Sequence, residues 1–566
     1  MKPGTCRSFP GASPRQFATH PPISGGALPL RTSEPKVSGS ASSGRLARSA
    51  GAMGAMTLLS RVFGYLRDLL QATLLGAADS ADAFVIAFRI PNLLRRLVGE
   101  GALTAAFIPV FTEVRKQEGH QAGWRFASTT FWTLASLLLV LVGVGILLAP
   151  ELVRFLALGF EGVAGKLDLT VQLARIMFPY LFFIGLAALA MAILNSLGLF
   201  AAPAFTPVLL NLSIIAAALL FARHSQHPAF WFAIGVVVGG GLQLVFQIPF
   251  LVRRNMPLAP SFHLLDPRLR KVGRLMLPGL LGVGVTQINL VVDSQVASFL
   301  GSGSVSYLYY AIRVEELVLG VFVISISTVI LPSLSHFAAA GRPDLMQEAL
   351  GRGMGYVVFV TIPAMFALWV LRVPIISTLF QHGNFTPADT QFTATALAFY
   401  GLGLLPTGLV KVLAPACYAR FDTATPVKIG AAAFALHIPM CIGLAIVLGH
   451  AGIALSTSLA ALANAGGLIW IVARREGKGW LEPLASALAR TLLAALIMAG
   501  GLLAMVHWIG FDPGAGILVR AGHLAVFIGS GGLAYLAASW ILGSAEGRQI
   551  WREITRARDR GDPARP

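Results

Sequence analysis

Charge is scarce in this chain. Only 12% of its 566 residues are Asp, Glu, Lys or Arg, about half the share of a soluble globular protein. A chain so poor in charge cannot clothe a water-facing surface of its own size. Acids are scarcer than bases, 25 against 43, and none lies between Asp422 and Glu476. Cysteine is nearly absent. Cys6, Cys417 and Cys441 form no metal or redox spacing with one another, which excludes a disulfide framework and a C-x-x-C motif. The last two lie in apolar runs and read as small core residues. Also missing are G-x-x-x-x-G-K-[ST], G-x-S-x-G and H-E-x-x-H. The nearest phosphate-loop mimic, "EGVAGKL" (161–167), lacks the first glycine and the Ser/Thr. No polar stretch is long enough for a nucleotide-binding domain. The chain is therefore not expected to be an enzyme, nor to drive transport with ATP by itself.

What fills the sequence is apolar: 56% of residues are hydrophobic and mean hydropathy is +0.74. Runs such as "TLASLLLVLVGVGILLAP" (133–150) and "YVVFVTIPAMFALWVLRV" (356–373) approach or reach the length needed to cross a hydrocarbon core of ~30 Å. Fourteen such segments can be counted between residues 54 and 543. The expectation is an all-α polytopic membrane protein with about fourteen transmembrane helices. Net charge of +18 would suggest nucleic acid in a soluble protein. Here no nucleic-acid partner is expected, because most Lys and Arg fall in alternate loops, such as Arg253 and Arg254, Arg268 to Lys271, and Arg474 to Lys478. That is the positive-inside pattern with both termini cytoplasmic. Arg154, Lys166 and Arg223 are exceptions on the other side.

A weak repeat divides the apolar region. "AFRIPNLLRRLVGEGALTAAFIPVF" (87–111) resembles "AIRVEELVLGVFVISISTVILPSL" (311–334), with Arg89 and Arg313 separated by 224 residues. Pro203 and Pro426 are separated by 223 residues. A shared offset argues for two six-helix lobes in the same orientation, related by a pseudo-two-fold along the membrane normal. The expected organisation is a disordered basic tail (1–50), a first lobe (51–254), a second lobe (255–476), two additional transmembrane helices (477–545) and a basic tail (546–566). Residues 1–50 lack the apolar run of a secretory signal. The small-residue-rich "ALARTLLAALIMAGGLLAMV" (487–506) permits either ordinary close packing or a groove for a lipid tail.

Charge inside apolar segments is the functional signal, because at a helix centre it costs roughly 2.5–3.5 kcal/mol on insertion scales. Segment 54–76 carries Arg61, Arg67 and Asp68; segment 82–114 carries Asp82, Arg89, Arg95, Arg96 and Glu100; segment 271–300 carries Asp293; segment 304–337 carries Arg313, Glu315 and Glu316. Asp82 with Arg89, and Arg61 with Asp68, each share a helix face and are candidate internal pairs. Arg313 has Glu316 at i+3. Arg96 can snorkel. Arg67, Arg95 and Arg313 are the arginines expected to face a cavity. Arginine suits bidentate phosphate binding, so the expected cargo is a phosphate- or pyrophosphate-bearing anion.

The runs "SRVFGYLRD" (60–68), "ADAFVIAFRIPNLLRRLVGEGALTAAFIPVF" (81–111), "SYLYYAIRVEEL" (306–317) and "VKVLAPACYARFDTATPVK" (410–428) resemble the MurJ/MviN family of lipid II flippases. These belong to the multidrug/oligosaccharidyl-lipid/polysaccharide exporter superfamily. The resemblance implies a bacterial inner-membrane protein that carries undecaprenyl-pyrophosphate-linked peptidoglycan precursor between leaflets by alternating access. It implies a monomer that associates with cell-wall synthesis machinery. It places the substrate-binding arginines on Arg61, Arg67, Arg95 and Arg313 and the functional acid on Asp82, with Ser60, Gly64 and Glu100 also matching. Some members resemble sodium-coupled carriers with an acid at the position of Asp293, the ion-coupling candidate, and a later ligand near Thr457. Here the expected Asn/Asp pair is replaced by His437 and Cys441. A full sodium site is not expected, and membrane potential or a proton is left as the coupling. The alternative is an exporter of the same fold for another polyprenyl-linked glycan or a drug-like solute.

Overall fold

The computed structural model describes residues 39–98, 102–254, 256–257, 259–261 and 266–548. Glu100, and the tail expected over residues 1–38, lie outside them. Among the described residues the chain is helical and holds no strand. The first half contains α1 (Gly39–Leu75), α2 (Asp79–Val98), α3 (Ala102–Gln117), α4 (His120–Leu147), α5 (Ala149–Ala157), α6 (Lys166–Met177), α7 (Pro179–Ser196), α8 (Ala201–Leu220) and α9 (Pro228–Val252). The second contains α10 (Pro267–Ser298), α11 (Ser304–Val318), α12 (Ile324–Ala339), α13 (Pro343–Val370), α14 (Arg372–Phe380), α15 (Pro387–Gly401), α16 (Leu404–Ala419), α17 (Ala424–Leu448) and α18 (His450–Glu476). Two further helices follow, α19 (Leu481–Ile509) and α20 (Ile517–Ile541). A π-helical turn, Leu319–Val323, joins α11 to α12. Residues 39–50, expected to be disordered, are helical and open α1.

Ten helical stretches among the described residues are long and apolar enough to cross a membrane. The four expected segments outside that set, 54–76, 82–114, 271–300 and 304–337, are the ones that hold the charged candidates. From Gly51 onward the chain packs as one unit, and its burial is that of a protein in lipid. Leu139, Ile446, Val447, Leu518 and Ile541 are exposed, while Thr130, Gln243, Gln247, Thr361 and Ser456 are buried. Lipid removes the hydrophobic drive between helices and leaves close packing and hydrogen bonds. Both are present. Gly235 and Gly239 bring α9 onto α8, where an added Cβ would sit 3.0 Å from the Cα of Ile214 and of Leu210. Ser213 Oγ donates to the Gly235 carbonyl at 2.9 Å. Gln243 and Gln247 donate to the carbonyls of Thr206 and Ala187 at 3.0 and 3.1 Å.

Candidate functional site: an acid latch and an arginine cluster

Asp79 and Asp82 lie in the first turn of α2, where the helix dipole favours negative charge. Asp82 is buried and accepts four hydrogen bonds. Oδ2 receives Lys166 Nζ and the Gly303 amide, both at 2.8 Å. Oδ1 receives the Ser306 amide at 2.9 Å and the Ser306 hydroxyl at 2.7 Å. The carboxylate is thereby saturated. It caps the N-terminus of α11 and neutralises a buried lysine at once. Lys166 Nζ also contacts Asp79 Oδ1 at 2.7 Å. The expected pairing of Asp82 with Arg89 does not occur: Arg89 donates instead to the Ser294 hydroxyl on α10. Shared helix face permitted the pair, but the α11 amides and Lys166 offer Asp82 more donors.

This latch belongs to a wider seam at the end of the molecule that carries the base-poor loops 76–81 and 300–304. Tyr310 Oη donates to the Gly76 carbonyl at 3.1 Å. The Asn384 amide donates to the Thr73 carbonyl at 2.9 Å. The Gly159 amide donates to Ser298 Oγ at 3.0 Å. Gly303 adopts φ 87°, and a Cβ there would overlap the Ala77 carbonyl and the Tyr307 ring. Gly303→Ala should therefore lower the thermal unfolding midpoint of the purified chain, since left-handed backbone alone costs a non-glycine about 1–2 kcal/mol. Gly301→Ala, which meets nothing within 4 Å, is the control and should leave the midpoint near wild type. Equal midpoints for the two variants would refute the close approach.

Two of the expected arginines, Arg67 and Arg313, gather around Asp68. Arg67 donates through Nη2 and Nε to Asp68 Oδ1 at 2.7 and 3.0 Å and through Nη1 to Asn211 Oδ1 at 3.0 Å. Asn211 in turn donates to the Ser60 carbonyl at 3.1 Å. Ser60 thus enters through its backbone. From 241 residues away, Tyr309 Oη donates to Asp68 Oδ1 at 3.0 Å. Arg313 stacks over the Tyr309 ring at 4.9 Å, pairs with Glu316 at 2.7 Å, and holds Nε 3.9 Å from Asp68 Oδ2. That Nε is buried and makes no hydrogen bond. Asp68 is therefore shared by Arg67, Tyr309 and Arg313. The expected Arg61–Asp68 pair is not formed. The Arg61 guanidinium rests against Gly320 in the π turn, where a Cβ would overlap it. π turns recur at functional sites.

On α2, Arg95 donates to Asn92 Oδ1 at 2.9 Å, and Arg96 reaches Gln287 Oε1 on α10 at 3.4 Å instead of snorkelling. Asp293 meets His437 Nε2 at 2.8 Å and Cys441 Sγ at 3.7 Å. Sequence reasoning did not single out Lys166, Ser306, Asn211 or Tyr309. Lys166 had a signal: it breaks the loop charge pattern, and the structure explains this by burying it. At the opposite, basic end, hydrogen bonds from Thr425 and Arg475 hold the Asp422 carboxyl below the usual carboxylate range. Arg420 pairs with Glu476 at 2.6 Å.

A family model described as lipid II flippase MurJ matches residues 71–515. A probable lipid II flippase MurJ of Vibrio cholerae is 40% identical over 511 residues, covering 88% of this chain and 96% of its own length. The lipid II flippase MurJ of Burkholderia cenocepacia is 36% identical over 505 residues, covering 86% and 95%. A solved structure of lipid II flippase MurJ in an inward closed conformation superposes with a TM-score of 0.74 at 27% identity, covering 89% of this chain and 99% of its own. An inward-facing multidrug resistance MATE transporter shares the fold, with a TM-score of 0.64 at 14% identity over 76% of this chain. With the family model spanning most of the chain and relatives this similar along nearly their whole length, the chain belongs to the MurJ family of lipid II flippases.

Proposed function

We propose that this chain moves lipid II from the cytoplasmic to the outer leaflet of a bacterial inner membrane, with its polyprenyl tail left in lipid. The observation that carries the reading is the pair Arg67 and Arg313, drawn from distant segments onto one carboxylate, Asp68. A pyrophosphate offers the same oxygens in greater number and charge. It can take the unused Arg313 Nε and compete for the Arg67 fork, and charge-assisted bidentate contacts of this kind are strong. Asp68 then acts as a resident counter-ion that keeps the arginines ordered between cargoes. Arg61 and Arg95 extend the cationic path.

In the same reading the molecule has fourteen crossings, as two six-helix lobes and a C-terminal pair, acting as a monomer with both termini cytoplasmic. Basic loops on the inner side support that orientation. The Asp82 seam then closes the outer end, and opening it delivers the headgroup outward. Membrane potential acting on the arginines supplies a suitable drive, about 2.3 kcal/mol per charge per 100 mV. A drug-like cation is disfavoured by the charge of the cluster. In a bacterium depleted of its own flippase, expression of this chain should restore lipid II to the outer leaflet, where an impermeant headgroup-modifying enzyme can reach it. Restored growth without that exposure would assign another cargo.

A further inference from the structure

Asp293 on α10 and His437 and Cys441 on α17 bring three different donor types together, and all three ligand atoms lie within 4.8 Å of one another. His437 and Cys441 are four residues apart on one helix, so they project from one face. From that geometry we propose that this chain holds one divalent d-block cation of the zinc class at Asp293, His437 and Cys441.

The donor chemistry selects the ion. A thiolate and an imidazole suit zinc-class ions, whereas sodium, magnesium and calcium take oxygen ligands. Only Asp293 supplies a carboxylate here. Thr457, the further ligand the sequence suggested, donates to the Ile453 carbonyl at 3.1 Å. Ligand charge also fits. Thiolate plus carboxylate give two negative charges, which one divalent cation neutralises. Arg89, bonded to Ser294 beside Asp293, disfavours any surplus of positive charge.

The distances fit after a small movement. Zinc-to-ligand lengths of about 2.0–2.3 Å set ligand separations near about 3.3–3.6 Å in a tetrahedron. The Cys441 to Asp293 separation of 3.7 Å already matches. His437 Nε2 and Asp293 Oδ1, at 2.8 Å, share a proton that the ion would displace. Opening them by about half an ångström completes three corners and leaves the fourth for water. His437 Nδ1 is buried and makes no hydrogen bond, so it is free to donate to a carbonyl of the kind that commonly orients a metal-bound imidazole. The Asp293 side chain is 15% exposed and that of His437 1%, so an ion arrives from the Asp293 side. Once bound it ties α10 to α17. The proposal is independent of the cargo, because binding is measured without transport.

The test uses the purified full-length chain, reduced and metal-free, titrated with Co²⁺ and then Zn²⁺. One Co²⁺ per chain should bind with a thiolate-to-cobalt absorption band, and Zn²⁺ should abolish the band by displacement. Cys441→Ala should remove the band, and His437→Asn should weaken binding by about tenfold or more. Cys6→Ala and Cys417→Ala should leave the band intact. Zn²⁺ should also raise the unfolding midpoint of wild type but not of Cys441→Ala, by linkage; this readout confirms that the variant folds. Absence of the band in wild type, its survival in Cys441→Ala, or displacement of Co²⁺ by excess sodium would each overturn the proposal.

Discussion

Asp82→Ala should cost about 3–5 kcal/mol, the usual penalty for removing one partner of a buried ion pair. The cost follows from what remains. Lys166 stays buried, with the partly exposed Asp79 and the face of the Phe160 ring to hold it, and the Gly303 and Ser306 amides lose their acceptor. Part of the loss falls on global stability, seen as a lower unfolding midpoint. Part falls on the seam, where about 3 kcal/mol shifts an open–closed equilibrium by about a hundredfold. Lys166→Met alone should also destabilise, by leaving Asp82 without its cation. The Asp82→Ala, Lys166→Met double variant should be less damaged than the two single losses added together, because both charges are gone. Strict additivity would show that the pair is not coupled and would remove the latch from the mechanism.

Arg313→Ala should abolish complementation of a flippase-depleted strain while the protein still reaches the membrane. Among the described residues the Arg313 Nε is a buried donor without a hydrogen bond, which under the proposed function is the donor left for cargo. Arg67→Lys separates charge from geometry. Arg67 spans Asp68 and Asn211 with three donors in one plane, and an ammonium cannot reproduce that fork. Arg67→Lys should therefore fail despite keeping its charge. Asp68→Asn should fail as well, more by loosening Arg67 and Tyr309 than by altering the cargo contact. Normal growth of Arg313→Ala would end the claim that the cluster binds cargo. Normal growth of Arg67→Lys would show that charge suffices.

Much of this architecture was legible because it is local. Apolar runs, loop bases and the position of Arg67 and Arg313 can be read within twenty residues of chain. So could the departure at His437 and Cys441, although not that these two meet Asp293. The pairings were harder. A helix-face argument connects residues three, four or seven apart, and it favoured Asp82 with Arg89 and Arg61 with Asp68. Neither pair forms. Asp82 found Lys166 and Ser306, 84 and 224 residues away, and Asp68 found its own neighbour Arg67 together with Tyr309.

By itself the sequence determined that the chain is a helical membrane protein, that its bases concentrate in alternate loops, and that a few arginines stand where lipid would not tolerate them unpartnered. Those are properties of composition and short-range period, which lipid and the translocation rule act upon directly. Only the tertiary structure decided which acid holds which base. Inside a low-dielectric interior a carboxylate settles where the most donors converge. That convergence is made by helix ends such as Gly303 and by lysines such as Lys166, brought together by packing between elements that no sequence period relates.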